Sequence, residues 1–464
     1  MEGAQKKKRI VDMTQGSPLK VLIIFAVPLM LGSLLQQLYN TVDSIVVGRF
    51  VGTTALASVG TCGPILHLLI GFFIGFSHGA TVTIASRFGA KDQEGMENAA
   101  RSALMITFLF SIVLSLIGYF ASPYLLRLIN VPPDVLPGAV TYLRIQFIGV
   151  IALCFYNMTS ALLRGLGDST TPLASLAIAC ALNIVLDIVL VLVVPWGVAG
   201  VSIATVIAQA CSAVYGLIML YKKLPKAFKV SRDFTGEGTL WTTMRIGLPT
   251  AFQQSINSVG GMAMQSIVNS FGELFIAAGN VINRMDMFCT TPINSIGTAV
   301  SAYTGQNLGA GDQERVKKGM RSGMLMAAVF CAFMTAILIG FRLPIIRLFS
   351  EDPMVWDIAE SYLFTIAPFY ICLGISFVLT GIMRGSGHSL VTMIVSIFQI
   401  FCVRIPVAFY FCNVVGHPRM IYFAMGCGWT AMLIVLSIYY RSGKWRKDLL
   451  GTGGKKEAAV VADE

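Results

Sequence analysis

Residues 88–102 read FGAKDQEGMENAARS, and residues 308–322 read LGAGDQERVKKGMRS. At a constant offset of 220 positions, the two stretches share these residues: Gly89/Gly309, Ala90/Ala310, Asp92/Asp312, Gln93/Gln313, Glu94/Glu314, Arg101/Arg321 and Ser102/Ser322. The correspondence continues in register to LLRGLGDS (162–169) and IMRGSGHS (382–389). The chain is therefore predicted to consist of two homologous halves. In each repeated loop, Gly permits a turn and Asp can begin the next helix.

The amino-acid composition is typical of an integral membrane protein. Hydrophobic residues make up 55% of the chain and charged residues 12%, whereas a soluble domain carries about 25% charged residues. Apolar stretches of about 20 residues are typical of membrane-spanning helices. Twelve such stretches predict a polytopic membrane protein: 19–47, 53–79, 99–121, 138–162, 171–194, 197–221, 245–269, 275–301, 321–344, 359–381, 390–412 and 420–440.

The predicted fold is an all-α integral membrane protein with two six-helix lobes. Six spans return each half to its starting side, so we expect a pseudo-two-fold axis along the membrane normal and a substrate site between the lobes. The expected organisation is a cytoplasmic N-terminal segment (1–18), an N-terminal lobe (19–221), a cytoplasmic linker (222–244), a C-terminal lobe (245–440) and a cytoplasmic tail (441–464).

The net charge of +11 reflects membrane orientation, and no nucleic-acid partner is expected. With both termini in the cytoplasm, most Lys and Arg fall on the cytoplasmic side, as expected for a protein of the cell membrane. Those predicted on the other side are Arg49, Arg127, Arg342, Arg347 and Arg419, and those within spans are Arg144, Arg284 and Arg404. Ten cysteines are scattered without a CxxC pair, which predicts neither a disulfide framework nor a zinc site.

Polar residues inside the spans of the first half predict a cation site. A carboxylate at the middle of a span costs about 2.5–3.5 kcal/mol, so it is a functional candidate. The first span places Gln36, Asn40 and Asp43 on one helical face. The fifth span does the same with Asn183 and Asp187, and the sixth offers Ser202, Thr205 and Gln209. If these faces converge, the two acids titrate as a pair and can bind H⁺ or Na⁺.

The second half lacks an equivalent set. Its seventh span has a polar face with Gln254 and Asn257, which we group with Gln36 as candidate substrate-cavity residues. Its midspan carboxylate, Asp286, is also a candidate, although Arg284 or a neighbouring group is expected to compensate its charge.

Two prolines are candidate hinges. Pro28 and Pro249 lie early in the first and seventh spans, where each removes a backbone donor and bends its helix. The alternative is that both are ordinary prolines of membrane helices.

Other functional classes fit less well. An enzyme would need a convergent nucleophile, base or metal set, and no HExxH motif occurs, so no enzymatic activity and no cofactor are expected. A flippase for lipid-linked or other amphipathic compounds stays open, but basic residues are sparse within the spans. A passive channel fits two halves with kinked helices poorly.

The chain resembles the multidrug and toxic compound extrusion (MATE) transporters over about residues 15–440. The resemblance rests on these stretches: PLMLGSLLQQLYNTVDSIVVGRFVGTTALASVG (28–60), ASRFGAKD (85–92), RGLGDSTTP (164–172), NIVLDIVLV (183–191), GVAGVSIATVIAQ (197–209) and GQNLGAGD (305–312). It implies an antiporter, expected to be monomeric in the lipid membrane, that exports amphipathic, often cationic, organic compounds in exchange for H⁺ or Na⁺.

The resemblance also implies a cation site in the first half. Carried over by matching motif, that site comprises Asp43, Tyr142, Asn183, Asp187 and Thr205. No metal is implied beyond Na⁺ at Asp43 and Asp187. Some sodium-coupled relatives use acids in the second half, where this chain has Gln254 and Asn257, so the resemblance does not extend to a second cation site.

Overall fold

A computed structural model describes residues 10–229, 239–416 and 420–446. Parts of three predicted regions therefore lie outside the described residues: the N-terminal segment, the linker and the cytoplasmic tail. The side chain of Asn40, and the whole of Arg419, also lie outside the described part of the chain.

The first half folds into long helices that match the first six predicted spans. Their bounds are α1 Pro18–Val46, α2 Thr53–Gly89, α3 Gln93–Leu128, α4 Leu136–Gly165, α5 Thr170–Ile188 and α6 Gly197–Lys223. One π-helical turn extends α1 over Val47–Val51 and another extends α5 over Val189–Val193, while a 3₁₀ turn, Pro225–Phe228, follows α6.

The second half repeats this order with more interruptions. Its helices are α7 Thr239–Asn269, α8 Glu273–Gly309, α9 Gln313–Gly340, α10 Arg342–Phe349, α11 Pro353–Ile366, α12 Tyr370–Gly385, α13 Ser389–Ile397, α14 Ile405–Phe409 and α15 Ile421–Arg441. The tenth predicted span consists of α11 and α12 joined by a 3₁₀ turn, Ala367–Phe369. The eleventh consists of α13 and α14, with π-helical turns at Phe398–Arg404 and Tyr410–Val414.

Ten of the helical segments are long and apolar enough to cross a membrane by length and composition. Helices α7 and α8 are not among them, because they carry many amide and hydroxyl side chains, but they occupy the places of the seventh and eighth predicted spans. The described residues are helical or irregular, with no strand, and the all-α membrane fold is confirmed.

The chain divides into two compact units. Unit 1 comprises Met1–Asp12 and Val27–Gly247, and unit 2 comprises Met13–Ala26 and Leu248–Glu464. The first turns of α1 thus belong to unit 2, whereas the sequence placed residues 19–26 in the N-terminal lobe. In unit 1, the backbone N–H of Val11 donates to the carbonyl of Gly167 at 2.9 Å.

Close helix packing explains glycines that both halves retain. In unit 1, a Cβ on Gly165 would lie 2.7 Å from the carbonyl oxygen of Thr81, so only glycine allows α4 to approach α2. In unit 2, a Cβ on Gly385 would lie 2.5 Å from the carbonyl oxygen of Ser301, which brings α12 equally close to α8. Small residues at helix contacts are a common way to pack membrane helices.

The repeated loops begin helices, as the sequence predicted. The Asp92 carboxylate accepts a hydrogen bond from the backbone N–H of Gly95 at 2.9 Å and caps α3. The Asp312 carboxylate accepts one from the backbone N–H of Arg315 at 2.8 Å and caps α9. Each cap satisfies a backbone donor that the first turn of a helix leaves free.

A buried ion pair ties the start of α5 to the end of α6 in unit 1. The Asp168 carboxylate is fully buried and accepts hydrogen bonds from the backbone N–H groups of Thr170 (3.1 Å) and Thr171 (2.9 Å) and from the ammonium of Lys223. Burial alone would raise the pKa of Asp168, but the bonds from Lys223 and Thr171 outweigh it and hold the pKa below its ordinary value.

We expect Asp168→Asn to destabilise the protein by about 3 kcal/mol, because it leaves the ammonium of Lys223 without its buried partner. The pKa of Asp168 is lower in the folded than in the unfolded protein. The stabilisation that ionised Asp168 contributes is therefore fully present above the unfolded pKa of about 3.9, and it is lost as pH falls through the folded pKa. Thermal unfolding in detergent should therefore show a difference between wild type and variant that shrinks in acid.

The matched control is Glu314→Gln. Glu314 pairs with Lys317 on the surface, where its side chain is 72% exposed, so we expect no measurable change. An Asp168→Asn protein as stable as wild type at neutral pH would contradict this account of the fold.

Candidate functional site

The structure brings the two predicted acids of unit 1 together. Asp43 lies on the last turns of α1 and Asp187 near the end of α5, and their carboxyl groups face each other within hydrogen-bonding reach. Asp187 is fully buried. Within the described part of the chain, no other group hydrogen-bonds to Oδ1 of Asp43 or to either carboxylate oxygen of Asp187. These three oxygens therefore lack a hydrogen-bond donor among the described groups.

A few hydroxyl and amide groups lie beside this pair. The hydroxyl of Tyr39 lies within hydrogen-bonding reach of Thr205 and near both acids. Asn183 is fully buried one helical turn before Asp187, and its amide oxygen and nitrogen have no partner among the described groups. A buried amide without a partner is costly, which is typical of a site that holds a ligand or an ion.

Tyr142 on α4 forms another wall of the site. Its ring is buried beside Asp43, and its hydroxyl is within hydrogen-bonding reach of Gln146. The hydroxyl of Ser202 donates to the backbone carbonyl of Tyr142 at 3.1 Å and so joins α6 to α4. Four helices of unit 1 (α1, α4, α5 and α6) thus contribute to one site.

An apolar cluster fixes the helix ends just beyond the acids. Val46, Val47, Ala55, Val191 and Val201 are buried together. These residues come from the ends of α1 and α5, including both π-helical turns, and from α2 and α6. π-Helical turns are rare and are frequently found at functional sites. Here they follow Asp43 and Asp187 directly, so the packed valines set where the two carboxyl groups meet.

This geometry can bind one positive charge. Two carboxylates that face each other in an apolar surrounding repel strongly, so the pair is stabilised by one shared proton or by a cation. The amide oxygen of Asn183 and the hydroxyl of Thr205 are further oxygen ligands suited to Na⁺. Among the described residues, no group of three or more His, Cys, Asp and Glu side chains could hold a metal ion.

Sequence reasoning missed Tyr39. It lies in LYNTVD (38–43), four residues before Asp43 and thus on the same helical face. The predicted site on that face comprised its amides and its acid and did not include the phenol. Gln36, a predicted cavity residue, is half-buried on α1.

In unit 2, the predicted polar face of α7 is only partly buried. Asn257 is exposed and Gln254 half-buried, and the Asn257 amide donates to the Gln254 side-chain oxygen at 3.4 Å. The neighbouring Gln253 is the buried amide: its oxygen accepts from the Arg384 guanidinium at 2.8 Å, and its nitrogen donates to the Ser396 hydroxyl at 2.6 Å. The structural role of Gln253 was not apparent from the sequence.

Asp286 has a different partner from the one that its spacing suggested. The guanidinium of Arg284 lies over the ring of Phe349, at 5.8 Å from the centroid. The charged group near Asp286 is Arg404, from the π-helical turn before α14, and the hydroxyl of Tyr370 also faces the carboxyl group. Arg404 therefore compensates Asp286 electrostatically within unit 2.

Both candidate hinge prolines lie inside helices that continue through them. Pro28 is in α1, two residues beyond the point where the chain passes from unit 2 to unit 1. Pro249 is in α7, two residues beyond Gly247, where the chain passes from unit 1 to unit 2. Each proline removes one backbone hydrogen bond from its helix.

Comparison with known proteins relates this architecture to one transporter family. The model of the MatE family matches the chain twice, at residues 28–189 and 249–410, once in each half. The chain is 33% identical over 436 residues to the "Probable multidrug resistance protein YpnP" of Bacillus subtilis, with 94% of this chain and 97% of the relative covered. It is 31% identical over 417 residues to the "Probable multidrug resistance protein YoeA" of the same organism, covering 88% and 90%.

A solved structure has the same fold. It is described as the outward-facing conformation of a multidrug resistance MATE family transporter of the MOP superfamily, and it superposes with a TM-score of 0.87 at 24% identity, covering 94% of this chain and 98% of that one. Members of this family are transporters and not enzymes. The double family match and the extent of the curated relatives together show that this chain belongs to the MatE family of membrane transporters.

Proposed function

We propose that this protein is a secondary active multidrug efflux antiporter of the cell membrane. It exports amphipathic, often cationic, organic compounds in exchange for H⁺ or Na⁺ by alternating access of two lobes. The named relatives, both described as probable multidrug resistance proteins, support the substrate class. We propose further that it acts as a monomer with both termini in the cytoplasm, as the distribution of Lys and Arg favours.

The observation that carries the proposal is the contact between Asp43 and Asp187. Two acids at the ends of different helices are held together in an apolar surrounding. Loading the pair with one cation removes the repulsion between the carboxylates, and unloading it restores that repulsion. The pair thus couples cation binding to the position of α1 relative to α5.

The mechanism follows from this coupling. A cation from outside binds at Asp43 and Asp187, favours drug release outside, and leaves on the cytoplasmic side. Pro28 and Pro249 are proposed hinges, since each interrupts the hydrogen bonding of its helix. One charge moving down 100 mV supplies about 2.3 kcal/mol, and a tenfold drug gradient costs about 1.4 kcal/mol, so one cation is sufficient for an uncharged drug. A singly charged drug exchanged for one cation moves no net charge, so its export is driven by the concentration gradient of the coupling ion or by a second cation.

We expect Asp43→Asn and Asp187→Asn each to abolish gradient-driven export, because a neutral amide at either position removes the repulsion that unloading restores. The measurement is efflux of a fluorescent lipophilic cation from proteoliposomes, driven separately by a pH gradient and by a sodium gradient. The gradient that drives wild-type efflux identifies the coupling ion.

The matched control is Asp286→Asn, which changes a half-buried carboxyl group of unit 2 that lies near Arg404. Asp286 is a candidate cavity residue and not part of the cation pair, so we expect coupling to persist even if drug affinity changes. Full gradient-driven transport by both Asp43→Asn and Asp187→Asn would reject the site.

We expect Tyr39→Phe to raise the cation concentration for half-maximal efflux by about fivefold, because it removes the hydroxyl that faces Thr205 beside the two acids, and a hydrogen bond between neutral groups contributes about 0.5–1.5 kcal/mol. The measurement is the cation concentration that gives half-maximal efflux. Tyr119→Phe is the control, because the ring of Tyr119 lies under Arg144, away from the pair. Equal half-maximal concentrations for Tyr39→Phe and wild type would contradict a role for the Tyr39 hydroxyl.

The alternative function is movement of a lipid-linked or other amphipathic metabolite. The same proteoliposomes test it: transport of a fluorescent lipid, with no efflux of the lipophilic cation under either gradient, would favour this alternative.

A further inference from the structure

The chain just before α1 is held in unit 2 by three polar side chains. The backbone N–H of Met13 donates to the side-chain oxygen of Gln306 at 3.0 Å. The carbonyl of Met13 accepts from the Asn307 amide at 3.2 Å and from Nε of Arg315 at 3.1 Å. Arg315 also donates from Nη2 to the carbonyl of Gln15 at 2.6 Å. We call Gln306, Asn307 and Arg315 the anchor.

The anchor residues also make contacts within α8 and with Tyr303 that do not involve the segment. Gln306 and Asn307 are fully buried at the end of α8. The Asn307 amide also donates to the carbonyl of Tyr303 at 2.8 Å, and the Arg315 guanidinium lies 5.9 Å from the centroid of the Tyr303 ring. The Met13 side chain is fully buried. Burial of an apolar side chain together with a charge-assisted hydrogen bond makes a strong attachment.

The repeat of the two halves diverges at the anchor. At the offset of 220 positions, Gln306, Asn307 and Arg315 correspond to Ser86, Arg87 and Gly95. The turn glycine and the capping Asp between these positions are retained in both halves. In the first half, Arg87 instead pairs with the capping Asp92 at 2.9 Å. Between residues 86–95 and 306–315 five of ten positions differ, and three of these differences fall on the residues that bind the segment.

The anchored segment leads directly into α1. Gly16 adopts the left-handed conformation (φ 73°) and turns the chain into Pro18, the first residue of α1. Leu22 and Phe25 on the following turns are fully buried, within the part of α1 that belongs to unit 2. The start of α1 is therefore fixed by packing as well as by the anchor.

Beyond Ala26 the helix belongs to unit 1 and carries Asp43. Pro28 lies at this change and cannot donate to the carbonyl four residues before it, so bending costs less there than elsewhere in α1. A force applied at Asp43 bends α1 at Pro28 only if the turns before Pro28 are held. If those turns are free to move, the whole of α1 shifts as one body and does not bend at Pro28.

We propose that Gln306, Asn307 and Arg315 are positioning residues for coupled transport: they hold residues 13–15 so that movement started at Asp43 is confined to α1 beyond Pro28. The inference rests on the proposed function of Asp43 as part of the cation site. It predicts that the anchor stays closed throughout the transport cycle.

The first test compares wild type, the anchor variant Asn307→Ala/Arg315→Ala and the control Arg87→Ala in proteoliposomes. Arg87 is the counterpart of Asn307 in the repeat. Its described ion pair is with Asp92 and does not involve the segment. The measurement is the number of drug molecules exported per cation imported. We expect the anchor variant to lower this ratio by about fivefold, with unchanged drug affinity in detergent, and the control to match wild type. A wild-type ratio in the anchor variant overturns the proposal.

The second test distinguishes loss of the Arg315 hydrogen bonds from poor folding of the variant. Gln15→Cys/Arg315→Cys removes the Arg315 bonds and supplies two thiols that a short bifunctional reagent can join, with Gln15→Cys alone as the control for reaction at native cysteines. We expect a lowered ratio before cross-linking and recovery after it. An inactive cross-linked protein would mean that the segment must detach during transport, and would overturn the proposal.

A third measurement separates failure of this inference from failure of the proposed function. If wild type shows no cation-driven export, the proposed function fails, and the anchor is judged by amide hydrogen exchange in detergent. The anchor variant should exchange faster than wild type in residues 18–26, with Arg87→Ala unchanged. Equal exchange in the anchor variant and wild type would show that Gln306, Asn307 and Arg315 do not hold this segment.

Discussion

Two carboxyl groups, Asp43 and Asp187, share one place in an apolar surrounding, and this constraint organises unit 1. Ionisation of either acid has a high free-energy cost while the other is ionised. Tyr39, Thr205 and Asn183 therefore supply polar atoms around the pair, while the valine cluster of the π-helical turns fixes where the two helices meet. The repulsion between two ionised carboxylates is relieved by one shared proton or one cation.

The two halves share a frame but differ where chemistry is concentrated. Gly165 and Gly385 allow the same close approach of helices, and Asp92 and Asp312 cap corresponding helices. In contrast, the positions of Asp43 and Asp187 correspond to Ala263 and Val407 in the second half. The residues that both halves share thus build the scaffold, whereas the two acids occur in unit 1 and the three residues that bind Met13 and Gln15 occur in unit 2.

Much of the fold followed from sequence because lipid imposes a simple rule: each span must satisfy its backbone within a helix. The twelve apolar stretches and the capping Asp residues were predictable on that basis. The position of Asp286 was also predictable, but its nearest charged group was not, because Arg404 is more than a hundred residues away and Arg284 points to Phe349. The spacing of residues along a helix indicates which of them share a face. It does not indicate which residues of other helices contact that face.

The sequence by itself determined the membrane location, the duplicated order of helices and the choice of Asp43 and Asp187 as candidate functional acids. Hydropathy, repeat register and the cost of inserting a charge are properties of the linear chain. Only the tertiary structure decided that Asp43 and Asp187 face each other, that Tyr39 lies near them, and that Met13 is bound by Gln306. These contacts join residues that are distant in sequence. Their partners are chosen by helix packing, which local patterns of sequence do not encode.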